Sequence, residues 1–155
     1  MLSDETTQQD FSEFVGANER NIRQALTASL GPDLGRDATA EALAYTWEHW
    51  DRVRAMDNPS GYVYRIGLNW GRGQAKRRDV LFPTVAAEAA EWVEPGLPDA
   101  LAALSEKQRV VVFLVHGHGW SLGEVANLLE VSKGTVQTHM ERGMSRLRRR
   151  LKVDT

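Results

Sequence analysis

An all-α fold of two small helical modules joined by a short linker is what this sequence predicts, and three observations predict it. Apolar residues recur at steps of three and four along most of the chain, the spacing of one helix face. No segment alternates apolar and polar residues in the manner of a half-exposed strand. An acidic, proline-bearing stretch over residues 79–96 separates two basic blocks. At 155 residues, each module would hold on the order of 60–70 residues, near the lower limit for a self-sufficient core.

The elements follow in order. Phe11, Phe14, Ile22, Leu26 and Leu30 mark a first helix, and Gly31-Pro32 stops it. Ala40, Leu43, Trp47 and Trp50 predict the apolar face of a second. Asn58-Pro59 reads as an N-cap with proline at the first helical position. The third helix then runs to about Lys76, with Tyr62, Ile66 and Trp70 at steps of four. Within the linker, VAAEAAEWV is compatible with a short helix. A four-helix module begins near Leu97, where Leu97, Leu101 and Leu104 make a short face. Ser105 to Gln108 and Ser121 to Glu124 match capping boxes and open the next two helices. Gly117 and Gly119 separate these two. The last helix runs from Lys133 to about Leu151, with Val136, Met140, Met144 and Leu147 on its buried stripe.

Composition excludes several classes. Without cysteine, disulfides and thiolate zinc sites are impossible. No apolar run approaches the roughly 20 residues that span a bilayer. The start, MLSDETTQQD, is polar and acidic and unlike a secretory signal. A soluble cytoplasmic protein is expected, with no membrane partner. The net charge of −2 is uninformative, but its distribution is not. Residues 1–64 carry eleven acids and five bases. Arg65 to Arg78 holds five bases and no acid, and 132–152 holds seven bases against Glu141. Charge runs are often only solvated helix faces. Two basic blocks, each closing a helical pattern, point to two nucleic-acid contacts.

Residues 121–148 have helix-turn-helix organisation. A two-turn helix is followed by the turn Glu130-Val131-Ser132, with Ser132 as N-cap of the next helix. Ala126 is small where the two helices cross. The geometry frees the N-terminal half of the last helix to enter a major groove. Its outer face carries Lys133, Thr135, Gln137, Thr138 and Arg142, able to hold phosphates or read base edges. An ordinary helical hairpin with a basic surface is the plain alternative.

The segment SLGEVANLLEVSKGTVQTHMERGMSRLRRRL resembles region four of the extracytoplasmic-function sigma factors of the sigma-70 family, where S-x-G-T-V opens the recognition helix. The same signature occurs in LuxR-type regulators. The first module separates the two: DATAEALAYTWEHW resembles the family's core-binding helix, and NPSGYVYRIGLNWGRGQAKRR its promoter-melting and minus-ten-reading segment. The resemblance covers about residues 10–78 and 97–151. It implies a region-two-like bundle over 1–78, the linker 79–96 and a region-four-like module over 97–155. It implies a transcription initiation factor that binds core RNA polymerase, recognises promoter DNA and promotes melting. An anti-sigma factor is a further partner it admits. A stand-alone LuxR-like regulator and a sigma-like adaptor that binds polymerase without initiating are the alternatives.

The resemblance assigns Asp37, Glu41, Leu43 and Trp47 to the polymerase-binding face. It assigns Arg65, Asn69, Arg72, Lys76, Arg77 and Arg78 to the minus-ten single strand, with Tyr62, Tyr64 and Trp70 able to stack on bases or wedge between them. Tyr62 and Trp70 fit a buried stripe equally well. Asp37 and Glu41 share a helical face, a spacing also open to acid–base or metal chemistry or to simple complementarity with a helix N-terminus. Nothing else supplies a nucleophile, a metal-ligand set or a phosphate loop, so neither enzyme activity, a cofactor nor a small-molecule substrate is expected. His116 and His118 alone make a poor metal site. Three departures from the family pattern stand out: Ala40 replaces its usual glutamine, Gln137 and His139 replace frequent arginines, and Glu141 sits beside Arg142.

Overall fold

The computed structural model describes residues 4–78 and 96–151, and all its regular elements are helical. The linker 79–96, its suggested short helix included, lies outside the described residues except for Gly96. In chain order the helices are α1 (Asp4–Leu30), α2 (Pro32–Glu48), α3 (Trp50–Val53) and α4 (Pro59–Arg78), then α5 (Leu97–Ala102), α6 (Glu106–Val112), α7 (Leu122–Leu129) and α8 (Lys133–Leu151). After α6 the backbone widens into a π-helical turn over Phe113–Gly117.

The sequence signals act where expected. Gly31 takes φ 94 between α1 and α2, and Pro32 starts the second helix at once. Ser105 and Ser121 each accept a bond from the backbone N–H three residues on, while Gln108 and Glu124 close the two capping boxes. Ser132 Oγ accepts from Thr135 N–H at 3.0 Å and caps α8. Glu130 adopts the left-handed conformation, φ 57, in the tight turn between α7 and α8.

Helix α2 corrects the expected register. Its buried face is Leu34, Ala38, Ala42 and Thr46, at strict steps of four. Ala40 is exposed and Leu43 only half-buried, while Trp47 keeps 42% of its surface in solvent. Small residues win that face because α1 and α2 pack almost backbone to backbone. A Cβ at Gly35 would stand 2.6 Å from the Thr27 Cα. The large aromatics instead gather at the end of the bundle, where Phe11 meets Trp47 at 5.1 Å and Trp50 at 5.3 Å.

The main core is not confined to one module. Ile22, Leu26, Ala38, Val53 and Val63 of the first belong to the same buried cluster as Val110, Leu114, Trp120, Val125 and Val136 of the second. A smaller cluster, Ala100, Leu101, Leu104, Val112 and Leu147, ties α5 to α6 and α8.

Polar groups cross the same boundary. Arg109 of α6 is buried. Its Nε donates to the Ala28 carbonyl at 3.2 Å and its Nη2 to the Ser29 carbonyl at 3.1 Å. These are carbonyls of the last turn of α1, which has no helical partner for them and no basic residue of its own there. Trp120 Nε1 donates to Gln24 Oε1 at 2.8 Å, and Asn58 Nδ2 donates to the Asn127 carbonyl at 2.6 Å.

Tyr64 is part of this interior. Ser29 Oγ donates its proton to the Ala25 carbonyl, so the Tyr64 hydroxyl donates to Ser29 Oγ, at 2.9 Å. Burial pushes the phenol up to about 12. The neutral phenol is therefore the form the fold favours. This contribution is complete below the ordinary tyrosine value and is lost as pH rises through about 12. In an ultraviolet titration, one of the three tyrosines should ionise last, near about 12. Tyr64→Phe should remove that step and cost ~1 kcal/mol in denaturant unfolding, the typical net worth of one hydrogen bond.

Candidate functional site

Helix α8 turns one face to solvent. Val136 and Leu147 are buried, and Gly143 lets α8 approach Val112 closely. Lys133, Thr135, Gln137, Thr138 and Arg142 are consequently all exposed. Two are already engaged locally: Thr135 shares a hydrogen bond with Ser132, and Gln137 Nε2 donates to Glu141 Oε1 at 3.1 Å. Glu141 thus has a neighbour that holds it along the helix. Lys133 extends over Gly123 at the start of α7. His139 turns away from this face. It is half-buried and lines a cleft against the first module. Burial first, then Lys107 and Arg142, holds its imidazole below the ordinary histidine value, favouring the neutral ring.

The polar stripe of α4 forms the other wall of that cleft. Arg65, Asn69 and Arg72 are exposed along one side of the helix, and Lys76 and Arg77 continue past it. The side chain of Arg78 lies outside the described residues. Two of the cations face acids of the second module. Arg65 lies 3.4 Å from Glu130 and over the Tyr62 ring at 5.6 Å. Arg72 pairs with Glu106. Tyr62 and Trp70 are half-buried against the core. Tyr64 is lost as a base-stacking candidate, because its ring is buried and its hydroxyl is committed to Ser29.

The α2 surface has a different chemistry. Asp37 and Glu41 are exposed, and neither joins an ion pair among the described residues. Trp47 and Tyr45 are the exposed large hydrophobics, at 42% and 36%. Tyr45 stacks on His49 at 4.1 Å, and its hydroxyl accepts from Arg52 at 3.0 Å. Leu43 lies beneath this surface, packed on the core. Acids beside exposed aromatics form a surface suited to a protein partner.

Sequence reasoning passed over Arg109, Gln24, Asn127 and Trp120, which hold the modules together. One signal was available: Arg109 opens the run VVVFLV, and a cation leading a buried run must find acceptors. His116 and His118 are both exposed. Among the described residues no group of three or more potential metal ligands gathers, and no helix is long and apolar enough to cross a membrane.

Residues 96–147 match the family "Sigma-70, region 4". Over 152 residues the chain is 29% identical to the RNA polymerase sigma-E factor of Streptomyces coelicolor, covering 92% of this chain and 86% of that one. It is 25% identical to the ECF RNA polymerase sigma factor SigL of Mycobacterium tuberculosis, covering 81% and 79%. The fold is similar to that of the sigma factor RpoE of Bartonella quintana, solved with the anti-sigma factor NepR, with a TM-score of 0.66, 24% identity and coverage of 95% and 99%. Residues 96–147 thus match sigma-70 region 4, and over most of its length the chain is similar to extracytoplasmic-function sigma factors.

Proposed function

We infer that this chain is an extracytoplasmic-function sigma factor of the sigma-70 family, acting in transcription initiation: it docks on core RNA polymerase through α2, holds the unpaired minus-ten strand along α4 and reads a duplex upstream element with α8. One observation carries the reading: the chain presents three chemically distinct surfaces on three helices. Helix α8 offers an exposed polar and basic face at a capped N-terminus. Such a face suits a major groove, where phosphate contacts position and side-chain donors specify. Helix α4 offers a cationic stripe with an amide at its centre. Asn69 supplies two donors and an acceptor, and Arg65, Arg72, Lys76 and Arg77 would follow the phosphates. Helix α2 offers acids and exposed aromatics with no nucleic-acid character. The division into 1–78 and 97–155 belongs to the same proposal, each part supplying one DNA contact. An anti-sigma factor is the expected inhibitory partner, as for the Bartonella quintana neighbour. The chain would act by binding, not by catalysis.

Asn69→Ala should impair open-complex formation on duplex promoters while core binding stays intact. Extruding a base costs a few kcal/mol, and capture must offset it. A premelted bubble meets that cost in advance and should largely restore abortive initiation. Permanganate footprinting on duplex and bubble templates reads both effects, and normal melting by the variant would remove Asn69 from the site.

Reversing Asp37 and Glu41 to lysine should abolish association with core polymerase with unchanged helical circular dichroism, since both side chains lie in solvent. Full affinity in the folded double variant would place the docking surface elsewhere.

Arg142→Ala should cost ~1–3 kcal/mol on the upstream element and relax preference at one base position, if the guanidinium reads a base edge. A uniform loss across sequences in a competition gel shift would assign it to a phosphate.

A further inference from the structure

Two kinds of surface meet in the cleft between α4 and the helices α6 and α8. Its floor is apolar: Leu68, Val110 and Val136 line it and are buried. Its mouth is polar, with Asn69 and Lys107 exposed and His139 half-buried in the lining. The volume is about 280 Å³, close to the roughly 300 Å³ at which small-molecule sites begin. An apolar hollow with a few polar groups converging on it is the usual form of such a site.

The charges at the mouth decide what kind of molecule fits. Arg65 and Arg72 also line the cleft, but each already faces an acid. Glu130 lies 3.4 Å from Arg65, and Glu106 pairs with Arg72. Lys107 joins no ion pair among the described residues. It lies near enough to His139 to help hold that imidazole below its ordinary value, after the larger effect of burial. One ammonium therefore remains for an incoming acceptor, together with the Asn69 amide, whose NH2 supplies two donors. A second negative charge on the ligand would meet Glu106 and Glu130. We propose that the cleft binds a small apolar monocarboxylate, its body on Leu68, Val110 and Val136 and its carboxylate at the mouth with Lys107 and Asn69. This site does not depend on strand binding by α4, although Asn69 belongs to both.

The test uses the full-length protein without DNA, and β-naphthoate as the probe. The neutral β-naphthamide has nearly the same shape without the charge, and a naphthalene dicarboxylate carries a second charge. Affinity is read from amide chemical shifts during titration. Position is read from nuclear Overhauser contacts between probe protons and protein methyls. The expected result is one saturable site for naphthoate with a Kd on the order of 1 mM or tighter, ordinary for a ligand of this size. Its contacts should fall on the methyls of Leu68, Val110 and Val136. The amide and the dicarboxylate should each bind about 3-fold more weakly or worse, the effect of one partly exposed charge pair. His139→Trp fills the cleft with a larger neutral ring and should abolish binding. Lys107→Met keeps the aliphatic stem and should erase the preference for acid over amide, whereas Lys107→Arg should keep it. Each variant is checked for helicity by circular dichroism. No saturable binding, or probe contacts at other methyls, overturns the proposal. So does equal affinity for acid and amide, full affinity for the dicarboxylate, binding that survives in folded His139→Trp, or an unchanged preference in Lys107→Met. Should His139→Trp fail to fold, the contacts in the unsubstituted protein and the variants at exposed Lys107 decide.

Discussion

The arrangement of the molecule turns on one guanidinium. Helix α1 ends at Leu30 without a basic residue in its last turn, so its terminal carbonyls need donors from elsewhere. Arg109 provides them from more than eighty residues along the chain. The carbonyl end of a helix favours a cation, and bonds to a charged donor are worth ~1.5–3 kcal/mol each, against ~1 for a neutral one. Burial draws the arginine below its ordinary value, and Glu106 opposes that shift. A buried charge whose partners are removed is far more costly than an exposed one. The contact therefore acts in one direction: once the modules meet, α1 is capped and Arg109 satisfied, and parting them leaves both ends to water.

Much of this fold is legible in the chain because its local signals are strong. Two capping boxes, the Ser132 cap and the Gly31-Pro32 junction set helix boundaries through short-range bonds that the residues themselves supply. The exposed face of α8 is legible for the same reason, since burial of Val136 and Leu147 fixes the orientation of Thr135, Thr138 and Arg142. What periodicity does not carry is which of two overlapping stripes a helix buries. In α2 the large residues Leu43 and Trp47 suggested one face, but the approach of Gly35 to Thr27 admits only small residues. Contacts between modules were hidden for a related reason. Asn58 is readable as a cap, and its Oδ1 does accept from Gly61 N–H at 3.2 Å. Its Nδ2, bonded to Asn127, has no counterpart in local spacing.

Overlap of stripes also explains how the α4 candidates divide. Tyr64 and Leu68 are four apart and buried, whereas Arg65 and Asn69, one position on in each case, are exposed. A rotation of one residue, ~100° around the helix, separates core from surface. Tyr62 lies between them, half-buried, with its hydroxyl accepting from Arg52 at 3.3 Å and its face under Arg65. It thus belongs partly to the core and partly to the cationic surface.

The two surfaces proposed to meet DNA are not equally open. The α8 face is open along its length, whereas the α4 stripe looks across a narrow cleft at the module that carries α8. Under the proposed function a duplex would meet α8 from open solvent, whereas a strand along α4 would run beside Glu106 and Glu130. The surface proposed to meet polymerase, with Asp37, Glu41 and Trp47, is exposed as well and forms no wall of that cleft.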